Sequence, residues 1–288
     1  MGNLGSVPIK RIDFAGVVFR SAMLDVEFVQ LSDDGRLRDH NEDYLGYFQP
    51  SSPAQSRSHG WLFALADGVG GHDQGEVASK TAVDEMIAQF RSAPSGEPLG
   101  MLLPRLIQHA NQLVYATGRS ASPGGTAMAS TIVACALRHD RVVVAHVGDS
   151  RCYLVRQGQA RQITRDHTVS QEQMRMGLMT AKDADSAATR HVLSRALGTE
   201  MFVNSDVSEL QALAGDILVQ CCDGLHNSVT GAEIAAIVSQ ARELESAGRE
   251  LIALANERDG SDNISVQIIR ARSVERVGMY RGRPYQLR

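Results

Sequence analysis

Aspartate residues stand at the ends of several apolar runs that have the length of buried strands. A single Asp-Gly pair is typical of an ordinary turn or helix cap, but four aspartates in such positions in one chain indicate a common role. Carboxylates gathered at strand ends repel one another unless a cation lies between them, and an oxygen-rich set without thiols favours Mg²⁺ or Mn²⁺. The runs and their aspartates are 61–66 with Asp67, 142–147 with Asp149, 217–222 with Asp223, and 264–269 with the preceding Asp262.

Metal ions held by these carboxylates would support hydrolysis at phosphorus. We expect two metals ~4 Å apart, bridged by Asp67 and flanked by Asp223 and Asp262, which would lower the pKa of a bridging water. The carbonyl of Gly68 is a further candidate ligand, and the planar guanidinium of Arg38 is the candidate to hold two phosphate oxygens. The nucleotide-binding patterns G-x-x-x-x-G-K-[ST] and G-x-G-x-x-G are absent, so the glycine turn after Asp67 is interpreted as part of a metal site.

The composition narrows the class of protein. The chain has 288 residues, 43% of them hydrophobic, which is enough for a sizeable core. A formal net charge of −4 argues against general binding to nucleic acid or to a membrane surface. No apolar run approaches the ~20 residues of a membrane span, and the first residues do not form an export signal. We therefore expect a cytoplasmic protein.

The cysteines are expected to be buried, reduced and structural, because they lie in or beside apolar runs and show no zinc-binding spacing. Cys135 and Arg141 do have the C-x₅-R spacing of cysteine-dependent phosphatases. The residues between them include no glycine that could turn backbone amides towards a phosphate. A thiol nucleophile is therefore the minor alternative.

Hydrophobic periodicity predicts strands in two layers with helices outside them. Between residues 130 and 163, four strand-like runs are joined by links of two to four residues, which permit only antiparallel neighbours. The whole order fits an α+β fold, an αββα sandwich of two antiparallel sheets, each flanked by a helix pair. The other predicted elements are strands at 25–30, 44–48, 61–66, 217–222 and 264–269, helices at 75–91, 99–114, 232–241 and 244–255, and loops at 50–60 and 120–125.

A series of short motifs runs through most of the chain. They include Arg38-x-x-Asn41-Glu42-Asp43, Asp67-Gly68-Val69-Gly70-Gly71-His72, Gly148-Asp149-Ser150-Arg151-x-Tyr153, Asp166-His167-Thr168, Arg195-Ala196-Leu197-Gly198, Cys222-Asp223-Gly224-Leu225 and Asp262-Asn263. In these motifs the chain resembles bacterial members of the PP2C (PPM) family of metal-dependent Ser/Thr protein phosphatases, from about Val26 to Arg270. Each motif alone is weak, whereas this set in this order is strong.

The resemblance implies a metal site and a set of ligands. Asp67 would bridge two metal ions, with the Gly68 carbonyl as a ligand and with Asp223 and Asp262 as ligands of the first metal. Asp149 would join Asp223 in a third-metal site of the kind seen in bacterial members. The implied cofactor is Mn²⁺ or Mg²⁺, two ions per site and a third at the additional position.

The resemblance also implies roles around the metals. Glu42 and Asp43 would orient metal-bound waters, and Arg38 would bind the phosphate. Animal members carry a histidine two residues after the bridging aspartate as the proposed general acid, whereas this chain has Val69 there. His72 lies at a different backbone position, so no general acid is assigned.

The expected function is hydrolysis of phosphoserine and phosphothreonine on proteins by direct attack of the metal-bridging water, in opposition to a Ser/Thr kinase. We expect an N-terminal extension at 1–22, a phosphatase domain at 23–271 with a flap at about 168–190, and a solvated basic tail at 272–288. No nucleic-acid or membrane partner is expected. The alternative from another functional class is a non-catalytic sensor or scaffold. The absence of one of the metal-ligating residues from the sequence would have favoured this alternative. A phosphatase acting on a sigma-factor antagonist would use the same chemistry on a different partner.

Overall fold

The computed structural model describes residues 23–69, 74–121, 128–280 and 283–286. The predicted N-terminal extension, the glycine turn through His72 and most of the predicted loop at 120–125 lie outside these residues. The first half of the described chain contains β1 (Asp25–Asp33), β2 (Asp43–Phe48), α1 (Pro53–Ser58), β3 (Trp61–Val69), α2 (Gln74–Ser92), α3 (Leu99–Ala121), β4 (Ala129–Ser130), β5 (Ile132–Arg138) and β6 (Arg141–Val147). The second half contains β7 (Arg151–Arg156), β8 (Gln159–Gln162), α4 (Val169–Arg175), α5 (Ala181–Ser186), a 3₁₀ helix (Ala188–His191), β9 (Asp206–Gln211), β10 (Ile217–Cys221), α6 (Asp223–His226), α7 (Gly231–Gln240), α8 (Leu244–Arg258), β11 (Ile264–Ser273), β12 (Val277–Tyr280) and β13 (Arg283–Gln286).

The strands form two packed antiparallel sheets. Sheet I has the order β1-β11-β10-β7-β8, and sheet II has the order β2-β3-β5-β6-β9, with the short β4 paired to β3. Every pairing in both sheets is antiparallel, as the short links between the central strands predict. The strands β12 and β13 form a separate hairpin.

Side chains on β3 alternate between the two faces of sheet II, which explains why the strand is buried on both sides. Phe63 and Leu65 pack between the sheets, whereas Leu62 and Ala64 pack against α2 and α3. A corresponding outer core lies between sheet I and the helices α7 and α8. The αββα sandwich is therefore confirmed. Among the helices of the described residues, none combines the length and apolar character that a membrane span requires.

Four details differ from the sequence-based expectations. The four central strands are not all neighbours, because β5 and β6 pair in sheet II and β7 and β8 pair in sheet I. The segment at 50–60 contains α1, because Ser52 caps the helix and Pro53 occupies its first turn. The strand β9 was not predicted, because it lies at the edge of sheet II and alternates between half-buried and exposed residues. The tail is not wholly solvated, because Glu275 is buried and its carboxylate binds Arg57 at 3.0 Å.

The segment predicted as a flap, about 168–190, contains α4, α5 and part of the 3₁₀ helix. Few of its residues are buried, with Ser170 and Ala184 as examples of those that are. It follows β8 of sheet I and returns to sheet II at β9. The segment therefore lies outside the two sheets, and its exact boundaries stay a prediction.

Candidate active site

The pairing of β2 with β3 sets two of the predicted carboxylates side by side. Asp43 begins β2 and lies directly opposite Asp67 in the antiparallel register. The backbone of Asp67 is held on both sides, since its N–H donates to the Thr131 hydroxyl at 3.0 Å and its carbonyl accepts from the Thr131 N–H at 2.8 Å. The Ser130 hydroxyl donates to the same carbonyl at 2.9 Å. The backbone of Asp67 is thus held by Ser130 of β4 and by Thr131, which lies between β4 and β5.

Sheet I contributes two further carboxylates from neighbouring strands. Asp223 begins α6 directly after β10, and Asp262 lies just before β11. A Cβ added to Gly224 would lie 2.1 Å from the carbonyl oxygen of Asn263. Glycine is therefore required at this position, because it lets the start of α6 approach the loop that carries Asp262.

Asn263 joins three segments around the site, a role that sequence analysis did not assign to it. Its side-chain oxygen accepts the Glu42 N–H at 2.9 Å, and its amide nitrogen donates to the carbonyls of Asp34 and His40, both at 3.0 Å. The residue is buried. It therefore fixes the charged segment before β2 relative to Asp262. The Asp262-Asn263 motif marks the residue, but its partners more than 200 positions away cannot be read from sequence spacing.

Close glycine packing places Glu42 at the start of α2. A Cβ on Gly68 would lie 2.2 Å from the Gly75 carbonyl oxygen, and a Cβ on Gly75 would lie 2.6 Å from Oε1 of Glu42. The Gly68 N–H also donates to the Glu42 carbonyl at 3.0 Å. The Glu42 carboxylate therefore lies against the N-terminus of α2, where the helix dipole favours negative charge.

Arg38 projects into the same region and contacts Asp262. Its Nη2 lies 3.0 Å from both carboxylate oxygens of Asp262, and about half of its side chain is exposed. The guanidinium is therefore held at the rim with donors that remain accessible. This is the geometry expected of a group that binds an anion entering from solvent.

The turn that carries Asp149 connects sheet II to sheet I. Gly148 has φ +103°, a conformation that favours glycine, and its N–H and carbonyl both bond to His167, at 3.1 and 3.0 Å. Nε2 of His226 donates to the Asp149 carbonyl at 3.1 Å. Asp149 is thereby held almost fully buried beside Asp223.

A cavity of about 1090 Å³ unites these side chains. The structure brings together all of the predicted site residues, with Asp43 buried just behind the cavity wall. The flap side adds Arg190, His191 and Arg195, which the sequence did not mark as cavity residues. The predicted residues that line the cavity are Arg38, Glu42, Asp67, Gly68, Asp149, Asp223 and Asp262.

The buried carboxylates repel one another strongly. Burial, together with neighbouring carboxylates, raises the pKa of Asp43 and of Asp149 to about 7. The pKa of Asp67 lies well above its usual value, first because of burial and then because of Asp43 and Asp223. Burial and the charge of Asp262 likewise raise the pKa of Asp223. Such a cluster is unfavourable when ionised and without a cation.

The residues fit a hard divalent cation. Both carboxylate oxygens of Asp43 are buried, and within the described part of the chain they have no hydrogen-bond partner of good geometry. Oxygens of Asp43 and Asp67 lie within 4.8 Å of each other and of the Cys222 sulfur. The thiol is already engaged, since it bonds to the carbonyl of Asn263 and accepts from the Ser265 N–H. Burial also raises the pKa of Cys222, so it remains a thiol. The available donors are then oxygens, as Mg²⁺ and Mn²⁺ prefer.

The alternative thiol nucleophile has no support in the structure. Cys135 lies inside β5, fully buried between the two sheets, and burial raises the pKa of its thiol. Arg141 pairs with Arg138 in the β5–β6 register and does not approach a phosphate loop around the thiol. Cys135 is therefore a core residue.

Comparison with known proteins adds independent observations. The family profile described as Protein phosphatase 2C matches residues 29–176, about half of the chain. The chain belongs to the protein phosphatase 2C family. The serine/threonine phosphatase Stp of Listeria innocua is 35% identical over 257 residues, which cover 88% of this chain and 96% of that relative.

Solved structures agree with this family assignment. A serine/threonine phosphatase of S. agalactiae matches with a TM-score of 0.77 and 32% identity, covering 86% of this chain and 100% of that chain. The catalytic domain of the phosphatase PstP, in complex with two manganese ions, matches with a TM-score of 0.72 and 31% identity, covering 86% and 99%. The chain is accordingly a metal-dependent Ser/Thr protein phosphatase whose substrates are phosphoproteins.

Proposed function

We propose that Asp67, Asp223 and Asp262 hold two Mn²⁺ or Mg²⁺ ions, with Asp67 as the bridge and the Gly68 carbonyl as a further ligand. Asp149 with Asp223 would hold a third ion. The observation that carries the proposal is the group of buried carboxylates from both sheets, in which the oxygens of Asp43 make no hydrogen bond of good geometry to the described residues. A divalent cation bound there supplies Lewis acidity and a water of lowered pKa.

The chain's own residues would orient the substrate and its surroundings. Arg38 would hold two phosphoryl oxygens in its guanidinium fork, because its donors face the cavity beside Asp262. Glu42 and Asp43 would accept hydrogen bonds from water in the site, and Asn263 keeps Glu42 in place. Val69 offers no proton at the position where animal relatives carry histidine. We therefore assign no general acid, and solvent in the open cavity supplies the proton to the leaving oxygen.

We further propose that the substrates are phosphoserine and phosphothreonine residues of cytoplasmic proteins and that a Ser/Thr kinase produces them. The support is the family membership together with a cavity lined by Arg38, Arg190 and Arg195, which suits a phosphorylated side chain. The net charge of −4 argues against a general nucleic-acid-binding protein.

Calorimetric titration of the metal-free protein with Mn²⁺ tests the ligand assignment. We expect Asp67→Asn and Asp223→Asn to weaken Mn²⁺ binding by at least about tenfold, because each loses an anionic ligand. Asp259→Asn is the matched control, since Asp259 lines the same cavity without a proposed ligand role. Wild-type affinity in Asp67→Asn would contradict the proposal.

A further inference from the structure

Two large apolar side chains are exposed in the segment that directly follows residues of the catalytic cavity. Met201 is 53% exposed and Phe202 is 71% exposed, and we refer to this pair as the apolar ledge. The two residues that precede it, Thr199 and Glu200, line the cavity. Single exposed apolar residues are common on protein surfaces. An exposed adjacent pair that directly follows cavity residues in the chain is a feature that requires an explanation.

The backbone of the ledge is held rigidly by two polar residues of α3. Nδ2 of Asn111 donates to the carbonyls of Glu200 at 2.9 Å and Met201 at 3.1 Å, while its Oδ1 accepts the Gly198 N–H at 2.8 Å. Asn111 is fully buried. A polar side chain buried inside an apolar helix face is stable only when its bonds are satisfied. The side-chain nitrogen and oxygen of Asn111 thus both bind backbone groups of the segment 198–201.

Gln108 adds a second anchor on the other side of the ledge. Its Nε2 donates to the Met201 carbonyl at 2.9 Å, and its Oε1 accepts the Val203 N–H at 3.1 Å. Val203 packs against the core between sheet II and the helices α2 and α3. Further back, Leu197 exchanges two backbone hydrogen bonds with Ser130, next to the β3 end that carries Asp67. The ledge is therefore fixed relative to the catalytic carboxylates, while its side chains remain in solvent.

We propose that the apolar ledge is a docking surface for an apolar side chain of the phosphoprotein substrate, close in sequence to the phosphorylated residue. This rests on the proposed function, because the phosphorylated residue must enter the adjoining cavity. Glu200 lines the cavity that holds the carboxylate cluster, and Met201 follows Glu200 directly in the chain. Glu200 would repel an acidic residue at this place, so a leucine-like side chain suits the surface better than an aspartate. A surface fixed before binding loses little entropy when the substrate docks.

The test measures kcat/KM for three phosphothreonine peptides and for the small substrate p-nitrophenyl phosphate. One peptide carries two leucines before the phosphothreonine, the second carries them after it, and the third has serines at all of these positions. We expect the wild type to prefer one leucine peptide over the serine peptide in kcat/KM by about tenfold, the effect of partly burying one leucine side chain.

The double variant Met201→Ser/Phe202→Ser should lose this preference and retain wild-type turnover of the serine peptide and of p-nitrophenyl phosphate. Met101→Ser is the matched control, because Met101 is also 71% exposed but lies in the first turn of α3. Gln108→Ala removes two hydrogen bonds to the backbone of the ledge segment and leaves the Met201 and Phe202 side chains in place, so it should reduce the preference in part.

A wild type without preference for either leucine peptide would overturn the docking proposal, as would a double variant that keeps the preference. An equal loss of kcat/KM on all substrates in the double variant would also overturn it, because the two residues would then stabilise the fold and would not bind the substrate. Failure of the wild type to turn over p-nitrophenyl phosphate would contradict the proposed function and the docking proposal together.

Discussion

Asp149→Asn should stabilise the metal-free protein, and the effect should depend on pH in a defined direction. The folded protein raises the pKa of Asp149 from 3.8 to about 7, chiefly through burial and then through the charge of Asp223. Because the pKa of Asp149 is higher in the folded than in the unfolded protein, the protonated side chain favours folding. This contribution to the unfolding free energy is fully present below the unfolded-state pKa and is lost as pH rises towards 7. The ionised side chain therefore destabilises the metal-free fold at pH 8.

The size of the effect follows from the difference between the two pKa values. At pH 8 the full difference of about three units corresponds to about 4 kcal/mol of lost stability, and at pH 5 only about 1.5 kcal/mol is lost. The gain in unfolding free energy from Asp149→Asn should therefore be about 2.5 kcal/mol larger at pH 8 than at pH 5. Water that enters the open cavity reduces both figures but leaves the sign unchanged.

Urea unfolding of EDTA-treated protein at both pH values, followed by circular dichroism, measures these free energies. Asp259→Asn is the control, because it removes a negative charge from an exposed position of the same cavity. If Asp149→Asn is no more stable than the wild type at pH 8, or if its advantage is the same at pH 5, the reasoning about a repulsive buried cluster is wrong. Saturating Mn²⁺ should reverse the order of the two proteins.

Three further predictions concern other parts of the molecule. Asn263→Ala should lower the unfolding free energy by about 3 kcal/mol, because three hydrogen bonds are lost and the Glu42 N–H is left unpaired, and urea unfolding checks this. Burial and the neighbouring His146 lower the pKa of His167 to about 4, so the wild type should lose stability as pH falls from 6.5 to 4, and His167→Gln should lose less over this window. Truncation after Ala271 removes the buried Glu275 and should lower the melting temperature, while turnover of p-nitrophenyl phosphate persists; a folded truncation without turnover would place the tail at the site.

Much of the architecture follows from local patterns in the chain. The run 61–66 alternates between two buried faces, and the links β5–β6 and β7–β8 are too short for parallel crossovers, so antiparallel sheets are predictable. The equally short link β6–β7 passes from sheet II to sheet I, which link length alone does not reveal. By contrast, β9 is an edge strand of sheet II that pairs with β6 and exposes alternate residues. Its pattern is set by the edge position and gives no strand signal that local periodicity could detect.

The candidate site, too, could be predicted only in part from the sequence. Asp67, Asp223 and Asp262 could be predicted as site residues because each lies at the end of an apolar run. Each is also followed by a glycine or an asparagine. The role of Asn263 could not be predicted, because its partners lie in a segment more than 200 residues away. Similarly, the ledge at Met201 is defined by contacts from the middle of α3, where Asn111 and Gln108 look like ordinary polar positions of an amphipathic helix.

The most direct test of the central claim is hydrolysis of a phosphothreonine peptide by the wild type and Asp223→Asn with Mn²⁺, with Mg²⁺ and with EDTA. We predict turnover by the wild type only when metal is present and a loss of about a hundredfold or more in Asp223→Asn, because a site that depends on metal ions loses a ligand. Asp259→Asn should behave like the wild type. Full activity of Asp223→Asn, or activity of the wild type in EDTA, would contradict the account, and a folded, metal-loaded wild type without turnover would favour a non-catalytic binding protein.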